Sequence, residues 1–264
     1  MDLFMVKMIT AEELFRKIKA EQAFVLVDVR AEDKYNQFHI EANTVEDINM
    51  PKTEIFTLED EVEKVIPQLP QNREMIITCT TGNSATKCAN ILSTKGYDVT
   101  VLEGGITAWK EYISKESIER IWSEFKNVHP DAPEHYEAWS FGNSKQMADE
   151  LAELVVEGTK TATSSNYLLY ELEDELLPMV GLHNIILDGN GIAVAVVENV
   201  SVEVMPFNEV TEEHAYREGE GDRSLPYWQE VHKEFFANEL KEVKQEFHYE
   251  MPVVCETFKL LYKN

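Results

Sequence analysis

Short apolar runs alternate with helical patterns along the first half of the chain. Residues 24–29, 75–77 and 99–102 are rich in branched apolar side chains, which is typical of strands buried on both faces. Between the strands, Thr10 and Glu13 form a capping box before Leu14 and Ile18, and a second helical pattern covers residues 85–94. Strands that alternate with helices predict an α/β domain with a mostly parallel sheet.

Two stretches of this half carry weaker signals. Residues 30–56 are polar and lack a period, so they are predicted to be irregular. Residues 58–66 have helical spacing and stop before Pro67, which predicts another helix. Gly96 suits a helix end, and Gly104 with Gly105 predicts a turn.

Longer helices and strands fill the second half, which shows no internal repeat of the first. Helical patterns cover residues 117–127, 144–157, 211–218 and 224–240. Strand patterns cover residues 185–187, 192–204 and 253–261, and the turn at 188–191 makes the first two a hairpin. These elements predict an α+β domain with a partly closed barrel. We therefore expect two domains, 1–113 and 114–264, with an amphipathic joining helix at the start of the second.

Composition limits the classes of partner. The 264 residues carry a formal charge of −25. Residues 1–113 hold 12 basic and 19 acidic side chains, and residues 114–264 hold 12 and 30. So acidic a surface repels phosphate backbones, which argues against bulk nucleic-acid binding but not against one nucleoside in a pocket.

Cysteine content and apolar runs indicate where the protein works. Its 3 cysteines are widely spaced and form no disulfide framework. No run reaches transmembrane length, and the first residues include no long apolar stretch. We expect a cytoplasmic protein without membrane contact. No ligand spacing for zinc is present, and neither a metal nor a cofactor is predicted.

The stretch with the clearest chemistry follows the apolar run at residues 75–77. Cys79 comes first, then Thr80, Thr81, Gly82, Asn83 and Ser84, before the helical pattern. A strand, a tight loop and a helix start direct successive backbone N–H groups into one small bowl. Such a bowl favours the thiolate form of Cys79, which is the nucleophilic form, and we expect that thiol to be open to solvent. The alternative is a cysteine that only packs in the core.

This loop resembles the C-x-x-G-x-S active-site loop of rhodanese-like sulfurtransferases. Further similarity lies in the D-x-R strand end at Asp28 and Arg30, in His39-Ile40, and in the G-G-I-x-A-W pattern that runs from Gly104 to Trp109. The resemblance covers about residues 8–113. It implies that Cys79 carries a persulfide held by the loop, taken from a sulfane-sulfur donor and passed to a thiophilic acceptor.

Neighbouring residues are expected to support this loop. Asp28 and Arg30 are interpreted mainly as an ion pair that fixes loops, with Arg30 beside the thiolate as the alternative. Cys88 is expected to pack in the core, and His39 to hold a turn. Many rhodaneses carry a basic residue one or two places after the cysteine, where this chain has threonine, so attraction of anionic thiosulfate is expected to be weaker.

The second half resembles ASCH domains, which are relatives of PUA-like barrels. The G-x-K-x-A-T signature matches Gly158 to Thr163, and further matches lie at residues 139–142, 206–211, 218–222, 227–236 and 255–258. The similarity covers about residues 118–264. Some ASCH members resemble amidohydrolases that act on N4-acylated cytidine, some are described as ribonucleases, and others are presumed binders.

In the amidohydrolase members, the positions that match are Lys160, Thr163 and Glu218. A lysine desolvated in a cleft can lower its pKa and accept the proton of a threonine hydroxyl, and a carboxylate can orient the lysine. The alternative is that Thr163 is a strand hydroxyl and Lys160 a solvated head group. His214 and His232 are interpreted as surface or packing residues.

These observations support a rhodanese-type sulfurtransferase fused to an ASCH domain that binds a small ligand, which is nucleoside-like, a modified base or RNA-derived. Two other functions stay open. In the first, the ASCH domain is a hydrolase, an N4-acylcytidine amidohydrolase or a ribonuclease-like enzyme, and the rhodanese domain is sensory. In the second, the chain is a non-enzymatic binding protein.

Overall fold

The computed structural model describes residues 6–59 and 66–263. The chain divides into two compact units between Ile113 and Ser114. Within the described residues, no helix combines the length and the apolar character needed to cross a membrane.

The first unit contains five strands and the helices between them. In chain order they are β1 (Lys7–Ile9), α1 (Ala11–Lys19), β2 (Val25–Asp28), α2 (Glu32–Gln37), β3 (Glu46–Asn49), α3 (Lys52–Phe56), β4 (Met75–Thr78), α4 (Asn83–Thr94) and β5 (Val99–Leu102). Helix α5 (Gly105–Val128) begins in this unit and ends in the second.

All the strand pairs of the first sheet are parallel, in the order β1-β5-β4-β2-β3. The α/β class and the three predicted strands are therefore confirmed. Strands β2, β4 and β5 are buried along their whole length, as their continuous apolar sequences require. The carboxyl end of β4 lies between β2 and β5 and forms the centre of this sheet edge.

Alternate residues of β2 face two different apolar clusters. Val25 and Val27 pack with Leu92 and Cys79 on one face. Leu26 packs on the other face, in the cluster that contains Trp109. Full burial of such a side chain stabilises the fold by roughly 1.5–3 kcal/mol. The helices on both faces therefore fix the sheet firmly beneath the loops at its edge.

Three expectations for this unit need correction or fall outside the description. Residues 30–56 are not irregular, because they contain α2, β3 and α3; α2 buries no side chain and β3 is an edge strand, so neither leaves an apolar period. Helix α4 begins at Asn83 and not at residue 85, since Gly82 turns the chain with a positive φ of 88°. The predicted helix at 58–66 lies mostly in residues 60–65, outside the described residues.

The second unit contains the other five strands. Its elements are β6 (Glu137–Ser140), α6 (Lys145–Glu157), β7 (Ala162–Asn166), α7 (Tyr167–Glu173), β8 (His183–Leu187), β9 (Ala193–Pro206), a 3₁₀ turn (Phe207–Glu209), α8 (Glu212–Glu218), α9 (Leu225–Glu242) and β10 (Pro252–Lys263).

The second sheet has the order β6-β8-β9-β10-β7, in which only the β6–β8 pair is parallel among the described strands. The long β9–β10 pair changes register twice, between Thr257 and Phe258 and again between Leu260 and Tyr262. Such irregularities bend and twist a sheet. The result is a curled half-barrel with helices, so the predicted α+β class is confirmed.

Helix boundaries in this unit follow the sequence signals closely. Ser144, Thr211 and Ser224 each accept a backbone N–H as N-caps, and Gly158 ends α6 with a positive φ of 80°. The predicted helix at 117–127 is the last part of α5, which runs without a break from Gly105. No glycine or proline lies between residues 106 and 127, so nothing in the sequence ends the helix earlier.

Candidate functional site

Cys79 directly follows β4, at the centre of the sheet edge. Its carbonyl oxygen accepts the Ile106 N–H at 2.8 Å, and the carbonyl of Thr80 accepts the Thr107 N–H at 3.0 Å. A Cβ on Gly105 would lie 2.2 Å from the Cys79 oxygen. The first residues of α5 therefore hold the backbone of the loop in place.

Backbone donors surround the sulfur of Cys79. The Ala85 N–H, in the first turn of α4, donates to Sγ at 3.3 Å. The five preceding N–H groups, those of residues 80–84, have no hydrogen-bond acceptor within the described part of the chain. A loop with free donors beside a helix N-terminus is suited to hold an anion.

Cys79 is more enclosed than the sequence leads us to expect. The residue is only 5% exposed and belongs to the apolar cluster that contains Ile77 and Ala85. The expectation of a thiol open to solvent is therefore wrong in this conformation. The physical reason is that the cysteine occupies a core position at the end of a buried strand. The solvent-exposed residues of the loop are Thr80 and Thr81.

A lysine from a different element reaches this loop. Lys52, the first residue of α3, places Nζ 3.4 Å from the Ser84 Oγ. Backbone hydrogen bonds hold its position, because the Lys52 N–H donates to the Val29 carbonyl at 2.9 Å. The positive charge that the sequence lacks after Cys79 is thus supplied by a residue 27 places earlier.

The other predicted residues of this unit have structural positions. Arg30 and Asp28 form a buried ion pair, with Nη2 and Oδ2 2.6 Å apart, and Arg30 also donates to the Phe38 carbonyl. His39 stacks on the Tyr35 ring and its Nδ1 lies 3.1 Å from the Tyr35 carbonyl. The contacts of Arg30 fix neighbouring loops, and none of them reaches Cys79.

Cys88 lies fully buried in the same cluster as Cys79. Burial raises the pKa of the Cys88 thiol to about 12, and the neighbouring Cys79 adds to this effect, which Lys52 partly offsets. A thiol with so high a pKa stays protonated and unreactive near neutral pH. The packing role expected for Cys88 fits this environment.

In the second unit, Glu218 is the centre of a buried polar cluster. It is the last residue of α8 and is 1% exposed. Its Oε1 accepts hydrogen bonds from the Ser164 hydroxyl at 2.7 Å and from the Trp228 indole N–H at 2.8 Å. The same oxygen lies 3.4 Å from Nε2 of His214 and 3.5 Å from Nε2 of His232.

Lys160 also belongs to this cluster and contacts the second carboxylate oxygen of Glu218. Its Nζ lies 2.9 Å from Oε2 of Glu218 and 2.7 Å from Oε1 of Glu220, and 5.1 Å from the centre of the Phe141 ring. Lys160 is 1% exposed, so it is not a solvated head group. Of the three predicted residues, the structure brings Lys160 and Glu218 into direct contact.

The expected use of Lys160 as a base is contradicted by its partners. Burial lowers the pKa of Lys160, but the carboxylates of Glu218 and Glu220 outweigh burial and hold the pKa above its ordinary value. For Glu218, burial raises the pKa, and Lys160 with His232 outweighs it, so the pKa lies well below the usual range. Both side chains are therefore charged, and Lys160 is a donor of hydrogen bonds.

Sequence reasoning missed the roles of two histidines. His214 and His232 are buried, so the surface interpretation is wrong and the packing interpretation fits, but their contact with Glu218 was not predicted. Burial lowers the pKa of His214, but the Cys255 thiol and Glu218 raise it to about 9. One signal was present in the sequence, since His214 and Glu218 are four residues apart and share a helix face.

Thr163 lies on β7 beside two adjacent cavities. The smaller cavity, of about 310 Å³, is also lined by Lys160, Glu218 and His232. The larger cavity, of about 560 Å³, contacts Thr163 but not Lys160. The Thr163 hydroxyl makes no hydrogen bond among the described residues, so the predicted residues share one cavity without forming a connected relay.

Metal binding finds no support in the described residues. They include no group of three or more His, Cys, Asp or Glu side chains placed to hold a metal ion. Asp222, in the acidic loop after α8, accepts the Ser224 N–H and helps to start α9.

Fold and sites together define a chain of two domains. The first is a parallel α/β domain with a cysteine loop at a strand end, and the second is a half-barrel domain around a buried charged centre. The family model of the rhodanese-like domain matches residues 10–112, and that of the ASCH domain matches residues 137–262.

Solved structures are similar to parts of this chain. Protein EF3133 from Enterococcus faecalis V583 is 38% identical over 55% of this chain and 88% of that chain, with a TM-score of 0.52. An ASCH domain from Lactobacillus crispatus JV V101 is 32% identical over 57% and 95%, with a TM-score of 0.53. A rhodanese-related protein from Thermoplasma volcanium is 28% identical over 40% and 92%, with a TM-score of 0.32.

A comparison with curated proteins gives no match. The chain belongs to the ASCH family and carries a rhodanese-like domain before its ASCH domain. Both resemblances predicted from the sequence are therefore confirmed.

Proposed function

We propose that the rhodanese-like domain is a sulfurtransferase in which Cys79 carries the sulfur. One observation carries this proposal: five backbone N–H groups without acceptors, in residues 80–84, follow Cys79 directly, and a sixth, from Ala85, donates to Sγ. A terminal persulfide sulfur is anionic and needs donors of this kind. Lys52 at the loop adds a positive charge.

The transfer can be written with thiosulfate as the donor. The Cys79 thiolate attacks the sulfane sulfur, the bond between the two thiosulfate sulfurs breaks, and sulfite leaves with the electron pair. Cys79 then holds a persulfide anion in the loop. A thiophilic acceptor such as cyanide attacks the outer sulfur, forms thiocyanate and returns the Cys79 thiolate. Negative charge is conserved in both steps.

Mass spectrometry and a cyanide assay test this proposal together. After incubation of the full chain with thiosulfate, we expect a gain of one sulfur atom on the peptide that contains Cys79, and thiocyanate release on addition of cyanide. Cys79→Ser should lose both signals, whereas Cys88→Ser should keep them, because Cys88 is buried and protonated. Equal signals in the wild type and Cys79→Ser would refute the proposal.

For the ASCH domain we infer a small nucleoside-like ligand, bound in the two cavities beside Thr163. The adjacent cavities have volumes of about 310 and 560 Å³, which suits a small molecule. The same acidic surface that disfavours nucleic acid does not exclude one nucleoside without phosphate groups. A calorimetric titration of the full chain with cytidine tests this inference. The variant Thr163→Val should weaken the binding of cytidine.

Hydrolysis by the ASCH domain is the second candidate. It is favoured because Lys160, Thr163 and Glu218 match the amidohydrolase members and line one cavity, where Lys160 would act as a hydrogen-bond donor and not as the base. Acetate release from N4-acetylcytidine that is lost in Lys160→Ala would support hydrolysis. Since Lys160 is held as an ammonium group, we expect binding to exceed turnover.

The ribonuclease-like alternative and the binding-protein alternative make different predictions. A ribonuclease should degrade RNA, but the acidic surface disfavours binding of the RNA backbone. A purely binding protein should be silent in both the cyanide and the acetate assays. The proposal also includes a cytoplasmic location, because the 3 cysteines are free and a reducing compartment keeps thiols in that state.

A further inference from the structure

The larger cavity of the ASCH domain has an unusual wall. Four carboxylates line its volume of about 560 Å³, together with aromatic rings, and none of the described residues that line it is a lysine, arginine or histidine. The carboxylates belong to Glu137, Glu175, Glu239 and Glu256. The rings belong to Trp139, Phe141, Tyr170 and Phe235. This wall is distinct from the Lys160 side of the neighbouring cavity.

Glu256 is the most enclosed of these carboxylates. It lies on β10, opposite Thr163 of β7 in the antiparallel ladder, so the two side chains share one face of the sheet. The residue is 6% exposed, and its Oε2 accepts the Asn199 amide at 2.6 Å. Its other oxygen, Oε1, accepts no hydrogen bond among the described residues, although Glu256 lines the cavity.

A chain of side-chain hydrogen bonds holds this carboxylate in place. The Trp139 indole N–H donates to Oδ1 of Asn184 at 3.0 Å, and the Asn184 amide donates to Oδ1 of Asn199 at 3.3 Å. Asn199 in turn donates to Glu256. Because all three donors point the same way along the chain, they orient Glu256 and leave Oε1 available to a ligand.

Glu239 contributes a second carboxylate to the cavity, and the nearby Asn166 amide only partly offsets the effect of burial on its pKa. Oε2 of Glu239, on α9, is buried without a hydrogen bond in the described part of the chain. Buried carboxylate oxygens that lack donors are costly unless a ligand supplies the missing hydrogen bonds. Burial raises the pKa of both Glu239 and Glu256 to about 7, so each can lose a proton readily when a cation enters.

We propose that this cavity binds a small organic cation with N–H donors, an amidinium or primary ammonium group, between the aromatic rings and the carboxylates of Glu239 and Glu256. The cation supplies donors to Oε1 of Glu256 and Oε2 of Glu239, which make no hydrogen bond among the described residues, and the rings contribute cation–π attraction. Phosphorylated ligands are disfavoured, because they would face the four carboxylates without a compensating cation. The inference rests on the proposed ligand-binding role of the ASCH domain and adds the charge of the ligand.

A series of probes with one shape and three charges tests the proposal. The full chain is titrated at pH 8 with benzamidine, benzamide and benzoate, and binding is followed by calorimetry. We expect benzamidine to bind at least tenfold more tightly than benzamide and benzoate not to bind. Equal affinity for benzamidine and benzamide, or no benzamidine binding, overturns the proposal.

Variants assign the effect to the cavity. Glu256→Gln should weaken benzamidine at least tenfold and leave benzamide unchanged, and Glu239→Gln, on a different element, should act in the same direction. Glu153→Gln removes one charge from the exposed surface of α6 and should have no effect. If Glu153→Gln weakens benzamidine as much as Glu256→Gln does, the attraction is general and the proposed site is refuted.

A parallel titration with cytidine separates this inference from the proposed function. If cytidine fails while benzamidine binds through Glu256, the nucleoside-like ligand is refuted and the cation site is supported. If cytidine binds and benzamidine does not, the ligand-binding role survives and the cation site is refuted.

Discussion

Gly105 has no room for a side chain beneath the Cys79 loop. Its φ is +61°, and a Cβ would lie 2.2 Å from the Cys79 carbonyl oxygen and 2.9 Å from the Gly82 nitrogen. Backbone atoms cannot move aside as a flexible side chain can, so an added methyl group must displace the loop. The double glycine of the sequence motif therefore has a steric cause.

We predict that Gly105→Ala lowers the free energy of unfolding by more than the matched variant Gly96→Ala. Gly96 also has a positive φ, of 84°, but a Cβ there would meet nothing within 4 Å. Gly96→Ala should therefore cost only the backbone strain, about 1–2 kcal/mol. Urea unfolding of both variants measures the difference, and equal losses would contradict the steric explanation.

Lys52 is the residue that we expect to attract anionic sulfur donors to Cys79. Two opposite unit charges about 4 Å apart gain about 1 kcal/mol in water, which corresponds to about a fivefold change in rate. Lys52→Gln should therefore slow the alkylation of Cys79 by the anion iodoacetate by about fivefold at low salt, while alkylation by neutral iodoacetamide changes little.

The matched control for this prediction is Lys87→Gln. Lys87 is an exposed lysine of α4, and its substitution also removes one positive charge from the same domain. The ratio of the two alkylation rates should stay at the wild-type value in Lys87→Gln. An unchanged ratio in Lys52→Gln would mean that Lys52 has no influence on the sulfur.

At the residue scale, local motifs predicted more than distant contacts. The Cys79 loop could be predicted from adjacent residues, since a strand end, one glycine and a helix start are all local signals. Lys52 could not, because its position depends on the packing of α3, which leaves no apolar period in the sequence. The expected exposure of Cys79 was wrong for a related reason: a loop motif says nothing about how deeply its first residue is packed.

At the element scale, three segments converge on Glu218. Helix α8 supplies Glu218 itself and His214, α9 supplies Trp228, and the segment before β7 supplies Lys160. Helices α8 and α9 were predicted from their own periods and caps, whereas Lys160 was singled out only by the resemblance to ASCH domains, and the convergence of the three segments requires tertiary packing. Strands at the centre of a sheet were equally predictable, whereas the edge strand β3 was missed because it is only partly buried.

The ion pair of Lys160 makes a strong prediction at this scale. Lys160→Met leaves the Glu218 carboxylate buried without its cation, and loss of one partner of a buried pair costs about 3–5 kcal/mol. The exposed pair of Lys145 and Asp149, on α6, is the control, since Lys145→Met should cost at most about 1 kcal/mol. Urea unfolding checks both, and similar losses would show that the centre contributes little stability.

At the scale of the whole molecule, charge is distributed unequally. The formal charge of −25 comes from 49 acidic and 24 basic side chains, and most of the excess lies in residues 114–264. Many of these carboxylates are on the surface, but Glu239 and Glu256 face a cavity inside the ASCH domain. As pH rises, repulsion between surface carboxylates and ionisation of Glu239 and Glu256 both lower the stability of this domain.

The pH dependence of stability follows from the shifted groups. Burial raises the pKa of Glu256 from 4.5 to about 7, so its contribution to stability is complete below about pH 4.5 and is lost as pH rises through 7. The raised pKa of His214, about 9 against 6.5, gives a contribution that is present below pH 6.5 and lost through pH 9. Glu218, with its lowered pKa, loses its contribution only as pH falls below 4.5.

We therefore predict that the ASCH domain is most stable near pH 5–6 and loses stability steadily towards pH 9. The glutamine of Glu256→Gln is uncharged at every pH. The free energy of unfolding of this variant should therefore rise by on the order of 2 kcal/mol relative to the wild type between pH 5 and pH 8. Urea unfolding at several pH values, followed by tryptophan fluorescence, measures this gain, because three of the four tryptophans lie in residues 114–264. Glu153→Gln should track the wild type; if Glu256→Gln does so too, Glu256 is already ionised at pH 5 and its buried position does not control the pH response.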